Sequence, residues 1–527
     1  MRATSTRADE GAPRPCPRWP IALLLVWLLP GAALGQEQAP PPRLEQSAEP
    51  PVPVQLPAAG TGDHPLPINL LTALQLANVR PLDIAAAAAR LRVAVAQLEA
   101  ARVLWLPTAV LGADYARHDG QIQAVDGTVF TTSRSSVFVG AGPVAVFAIS
   151  DAILAPLAAR QVSRARQADL QAATNDSLLA VAEAYFNVQQ ARGELAGAQE
   201  TVRRAEELVR RAEQLAPGLA PPVEAVRART ELARRRQQAQ SARERWRVAS
   251  AELARILRLE PSALVEPLEP PHLQVTLLPP DRPVDELIAI GLTNRPELAA
   301  SQALVQATLQ RLRQEKLRPL VPSVLLRGNT TNPAGNLAGG LFGGGINDFV
   351  GNFGARGDFD IQMVWELQNL GLGNRARIRE RQAEQQLSVV ELFRTQDRVA
   401  AEVAQAQAQL ESAAARLGDA ESGLKDAVDS MNKNFEGLGQ TRRAGELLIL
   451  VIRPQEAVAA LQQLAQAYND YYGVVADYNR AQFRLYRALG HPAQLIAAET
   501  ACPPAEPECP SVGRMILFKR FPGSPPE

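Results

Sequence analysis

Residues 157–216 form a run of 60 positions without proline, and residues 374–436 form a run of 63 behind the Gly-Leu-Gly at 371–373. Proline inside a helix removes a backbone hydrogen bond and clashes with the preceding turn, at a cost of about 3 kcal/mol, so proline-free runs bound helices. Inside the first run, Val181, Tyr185, Val188, Ala191, Leu195, Ala198, Val202, Ala205, Leu208, Ala212 and Leu215 recur at steps of three and four. That spacing writes a narrow apolar seam down one helix, the pattern of a coiled coil. Each long run reaches roughly 90–100 Å at ~1.5 Å per residue, against a globular norm of about 11–12 residues. An ordinary bundle helix explains the seam but not the length.

Shorter runs flank the long ones at 82–106, 223–260, 297–318 and 455–491. In each half of the chain the two short runs, laid end to end, match one long run. The halves are copies of each other. "RPLDIAAAAARLRVAVAQLEAARVLWLPTAV" from Arg80 matches "RPELAASQALVQATLQRLRQEKLRPLVPSVL" from Arg295, with Pro81 on Pro296 and Pro107 on Pro322 at a shift of 215. "PPVEAVRARTELA" from Pro221 matches "RPQEAVAALQQLA" from Arg453 at a shift of 232. The second copy has therefore gained about 17 residues between these landmarks.

Both copies interrupt their helices at the same place. After Pro107 come "TAVLGADYARHDG" and "SSVFVGAGPVAVFAIS"; after Pro322 come "SVLLRGNTT", a Gly-rich segment expected to be a loop, and "DFDIQMVWEL". The last stretch alternates, with Phe359, Ile361, Met363, Trp365 and Leu367 on one face and Asp358, Asp360, Gln362 and Glu366 on the other. Period two marks a strand, and about ten residues suit a tilted transmembrane strand. A half-buried soluble strand has the same pattern. Four strands cannot close a barrel, so either they are soluble or several chains pool them.

Residues 1–35 read as a signal peptide, with arginines ahead of the apolar "IALLLVWLLPGAALG" and small residues before Gln36. A buried first helix is the other reading of that run. Residues 36–67 are Pro-rich and expected to be a disordered linker, and the tail 492–527 is similar. Cys502 and Cys509 in that tail are placed either to close a small disulfide loop or to stay as two thiols. The four histidines are scattered at no metal-ligand spacing, and no HExxH, CxxC, GxSxG or P-loop pattern is present. Neither an enzyme, a metal nor a cofactor is expected. The net charge of zero gives no reason to expect nucleic acid as a partner.

The duplicated order of helix, two strands, long helix and return helix resembles the TolC-type outer-membrane efflux proteins across about residues 68–491. "NRPEL" (294–298), "LWLPTAVLGADY" (104–115), "RPLVPSVLL" (318–326) and "ADYNRAQFRLYRALG" (476–490) carry the likeness. The resemblance implies repeats at 68–270 and 271–491 in a mainly α fold with β. It implies a homotrimer whose four strands per chain form one 12-stranded barrel in outer-membrane lipid, above a periplasmic helical tunnel. Its partners would be a periplasmic adaptor and an inner-membrane pump of RND or ABC type. The chain would be a passive exit duct. A periplasmic adaptor with one helical hairpin is the alternative, and a purely structural coiled coil is opposed by the strands. In this family the hairpin tips form the tunnel entrance, where acidic residues gather. Glu224 and Glu456 open the return helices there, with Arg442 and Arg443 on the second tip as candidates for closing the mouth. An acid in a first helical turn is also favoured by the macrodipole alone.

Overall fold

The computed structural model describes residues 55–57, 64–78, 80–106, 108–215, 219–327, 339–346, 351–357, 359–444 and 447–491. The first copy holds β1 (His64–Ile68), α1 (Leu70–Ala77), α2 (Leu82–Arg102), β2 (Thr108–Gln123), β3 (Val129–Ala148), α3 (Ile149–Leu215), α4 (Pro222–Leu257) and β4 (Ala263–Pro267). The second holds α5 (Val284–Asn294), α6 (Pro296–Leu317), β5 (Ser323–Arg327), β6 (Gly339–Ile346), β7 (Gly351–Gly357), β8 (Asp360–Val364), α7 (Leu372–Gly437), β9 (Thr441–Ala444), β10 (Leu447–Leu450) and α8 (Pro454–Ala488). The signal-peptide segment, the tail with Cys502 and Cys509, and Asp358 lie outside the described residues. β1 begins at His64, inside the stretch expected to be linker.

Proline punctuates the helices as its chemistry requires. Pro222, Pro296 and Pro454 open α4, α6 and α8 in the first turn, where the missing N–H has no intrahelical partner to lose. Pro156 is the exception. It lies inside α3, which starts eight residues before the proline-free run. Only one ladder bond is lost there, and the start is pinned from outside. Asp151 in the first turn accepts from Arg318 and from Gln314 at 2.9 Å each, while Ala152, Leu154 and Ala158 are buried.

α3 packs along α2 and then α4, and α7 along α6 and then α8, so each pair of short helices spans one long one. α3 also packs on α6 and α8, which joins the copies. The resulting order is α2/α4, α3, α6/α8, α7. The seam read from the sequence is the contact line: Val181, Tyr185, Val188, Leu195, Ala205, Leu208 and Ala212 are all buried. Where α8 crosses α3, two glycines make room for tyrosines. A Cβ on Gly193 would sit 2.5 Å from the Tyr472 ring, and one on Gly197 would sit 2.7 Å from Tyr468.

A belt of irregular chain wraps the middle of the helices. β1 pairs in parallel with β4. Trp246 Nε1 donates to the Val265 carbonyl at 3.0 Å, and Arg192 Nη1 to the Pro267 carbonyl at 2.6 Å. The buried Tyr185 hydroxyl donates to the Glu269 carboxylate. The connection between the copies is held likewise. The Asn479 amide receives the Val275 N–H at 2.8 Å and donates to the Leu273 carbonyl at 2.7 Å, standing in for a missing strand partner. Gln482 does the same at Leu277 and Leu278, and Gln407 donates to the Pro280 carbonyl. Buried backbone groups need such partners, and here the helices supply them.

Candidate functional site

Two regions bear on function, the sheet at one end of the long helices and the hairpin turns at the other. In the sheet, β3 pairs antiparallel with β2 over all 16 residues of β2. Its other edge is shared. β5 pairs with Val144–Ala148, and β6 with Arg134–Ala141. β8 pairs with β5 and β7 with β6, so β7 and β8 run along one line. The spatial order is β2, β3, β5/β6, β7/β8: four strand positions, with both outer edges unpaired among the described residues.

This corrects the expectation that the Gly-rich segment is a loop. Most of it is strand. Residues 339–346 extend the second hairpin along β3, and 351–357 return beside them. Glycine weakens a strand because it brings no side chain to pack. Here the Phe353 ring covers the bare Gly343 backbone so closely that a Cβ there would lie 2.4 Å from it.

One face of the sheet is apolar. Phe359, Ile361, Met363 and Trp365 are all more than half exposed, while Asp360 and Gln362 between them are half-buried on the other face. The register carries the apolar face across the strands. Met363 lies beside Val324, which lies beside Phe147; Val139 lies beside Leu341; and Leu111 and Tyr115 follow on β2. The opposite face carries Asp114, Ser136, Asp360 and Gln362, and Gln362 donates to Asp360 at 2.8 Å.

At the far end the two copies differ. Six residues separate the end of α3 at Leu215 from the start of α4 at Pro222, whereas between α7 and α8 the strands β9 and β10 pair antiparallel, with Arg442 opposite Ile449. Glu224 and Glu456 hold the same third position of their helices, each with its N–H bonded 3.0 Å to the carbonyl just before the helix, at Pro221 and Arg453. Their side chains part company. Glu224 is only 7% exposed and accepts from Arg227 at 2.8 Å, while its other oxygen has no partner. Glu456 is exposed. Arg227 also donates to Gln455 at 3.3 Å, which brings the two helix starts together. Arg442 is exposed, and among the described residues no ion pair joins it to either glutamate; the Arg443 side chain lies outside the description.

Sequence reading missed the residues that fasten the two tips. Arg211 Nη1 donates to the Phe435 carbonyl at 2.6 Å near the end of α7, Arg204 donates to Asn432 at 3.1 Å, and both guanidiniums lie over the Phe435 ring. Their seven-residue spacing places them on one side of α3, but nothing local names α7 as their target.

A family model described as outer membrane efflux protein matches residues 73–257. No curated protein matches the chain. Among solved structures, the Campylobacter jejuni CmeC outer membrane channel aligns with TM-score 0.63 at 16% identity, over 82% of this chain and 89% of that one. The open-state Neisseria gonorrhoeae MtrE outer membrane channel aligns with TM-score 0.63 at 17% identity, over 86% and 96%. The outer membrane protein VceC of Vibrio cholerae aligns with TM-score 0.61 at 16% identity, over 80% and 96%. The chain thus has the fold of these outer-membrane channels, and residues 73–257 within its first copy resemble the outer membrane efflux proteins.

Proposed function

We propose that this chain is the passive exit duct of a tripartite efflux or type I export system, assembled as a homotrimer in the outer membrane. The open sheet carries the reading. In lipid an unpaired strand edge has no water to bond, so a four-stranded sheet with an apolar outer face needs partners on both sides. β2 of one copy meeting β7/β8 of the next supplies them. Three copies pool about twelve strands, within the range of outer-membrane barrels. Phe359, Ile361, Met363 and Trp365 then face lipid, and Asp360 and Gln362 face the lumen. The long helices below form the wall of a periplasmic tunnel that docks on an adaptor and an inner-membrane pump of RND or ABC type. The pump supplies the energy and selects the substrate. Glu224, Glu456, Arg442 and Arg443 stand at the entrance.

The adaptor reading is disfavoured because adaptors join one hairpin to small soluble β-domains, whereas two hairpins here lead into one sheet with an apolar face. Membrane fractionation of cells producing the full chain tests the proposal. The channel is expected in the outer-membrane fraction as a detergent-extracted, heat-modifiable trimer. A soluble periplasmic protein would overturn the reading.

A further inference from the structure

The join between sheet and long helix differs between the copies. β3 runs into α3 without a break, at Ala148 and Ile149, whereas residues 365–371 separate β8 from α7. That segment is unfavourable in the chain alone. Asn369 and Leu370 have φ of 50° and 58°, a left-handed backbone that a bulky apolar residue resists. Leu370 is 96% exposed, so packing within the chain does not offset the strain. Trp365, Leu367 and Leu372 around it are all more than half exposed.

The charges that follow are equally unexplained by the chain itself. α2, α3, α4, α6 and α8 each carry an acid in the first turn, as the macrodipole favours, and α7 carries none. Arg375, Arg377 and Arg379 stand there instead, at the end of a helix where cations are disfavoured. Arg375 and Arg379, four residues apart, also repel each other. All three are exposed and meet no carboxylate among the described residues, whereas Arg381 is paired with Glu384 at 2.7 Å.

We propose that this join is a phospholipid site: Trp365, Leu367 and Leu370 enter the periplasmic leaflet of the outer membrane, and Arg375, Arg377 and Arg379 hold the phosphates of its anionic headgroups. This rests on the outer-membrane reading above and adds a lipid partner below the barrel. Phospholipid is the occupant because the apolar residues continue the exposed face of β8, which lipid covers in that reading. The arginines then match the headgroups in charge and in depth. They lie roughly 4–11 Å along α7 from Leu372, and the headgroup layer is about 5–8 Å thick. A guanidinium offers phosphate oxygens two parallel N–H donors, which makes arginine well suited to the task.

Lipid titration tests the site. The full-length oligomer, purified in neutral detergent and stripped of lipid, is titrated with dihexanoyl phosphatidylglycerol. Binding is read by native mass spectrometry, and stability by the unfolding midpoint. Both should rise, and more than with dihexanoyl phosphatidylcholine or inorganic phosphate. Arg375→Gln, Arg377→Gln and Arg379→Gln should each weaken binding about fivefold, and together about 100-fold. Arg229→Gln, Arg234→Gln and Arg255→Gln on α4 remove the same charge and should leave binding unchanged. Leu370→Asn relieves the strained turn and removes the apolar anchor, so it should raise the midpoint without lipid and shrink the gain with it. An equal loss in the α4 variant, or an equal rise with inorganic phosphate, overturns the site. An oligomer extracted from the outer membrane whose lipid binding ignores the three α7 arginines overturns the site and leaves the channel reading standing. Absence of the chain from the outer membrane overturns both.

Discussion

At the scale of single residues, the crossing of α3 and α8 depends on what is missing as much as on what is present. Gly193 gives Tyr472 its place, whereas Gly418 on α7 has nothing within 4 Å of where a Cβ would be. Alanine favours a helix over glycine by about 0.5–1 kcal/mol, but overpacking a filled site costs about 1–3 kcal/mol. Gly418→Ala should therefore raise the unfolding midpoint in detergent, and Gly193→Ala should lower it. The tyrosines add a pH dependence. Burial pushes the Tyr472 phenol up to about 12, and burial first, then neighbouring groups, raises Tyr468 and Tyr471 as well. An unfolded tyrosine ionises near pH 10. The folded chain keeps protons that the unfolded chain has released, so stability is complete below about pH 10 and falls as pH rises through the folded values. Denaturant titrations across this range should show the fall, and Tyr472→Phe should make it shallower. An unchanged slope in that variant would remove Tyr472 as a cause.

At the scale of elements, the alternation in β8 separates two environments within one residue. An arginine in a mid-bilayer lipid-facing position costs about 2–4 kcal/mol. Met363→Arg should deplete assembled oligomer in outer membranes far more than Gln362→Arg; equal depletion would mean that the two faces are not lipid and lumen. The strands in the Gly-rich segment also move the place where an insertion is tolerated. Gly344 lies within β6, paired with Ser136, so an insertion there breaks the ladder. The connection between β6 and β7, residues 347–350, is the site for an epitope, because connections between strands accept insertions that the strands themselves do not. Antibody should reach that epitope on intact cells. Labelling only after permeabilisation would place the helices outside.

At the scale of the whole molecule, the duplication supplies two return helices that begin alike and end up unlike. Glu224 is buried against Arg227, so its charge is already balanced within the chain. Glu456 is exposed and in a threefold assembly would place three carboxylates at the mouth, where like charges attract cations. Purified channel in planar bilayers should lose cation preference with Glu456→Gln and keep it with Glu224→Gln. If both variants keep it, Glu456 reduces to a helix-start residue stabilised by the macrodipole at about 0.3–1 kcal/mol.

The sequence by itself determined the parts that depend on local chemistry. Proline positions set the starts of α4, α6 and α8, three-four spacing gave the seam of α3, and period two gave β8 with its apolar face. The duplication gave the order of elements twice over. These were legible because proline geometry, helical pitch and strand pleat act between near neighbours. Tertiary structure alone decided the rest. Pro156 is tolerated in α3 because Arg318 and Gln314, far along the chain, hold Asp151 in its first turn. The Gly-rich segment is strand because β3 offers it a ladder and Phe353 covers its bare backbone. Glu224 is buried and Glu456 exposed although both hold the third position of their helices, a difference that the shared helix-start motif does not disclose. Local pattern fixes which face of an element is apolar, but which partner meets that face depends on residues hundreds of positions away.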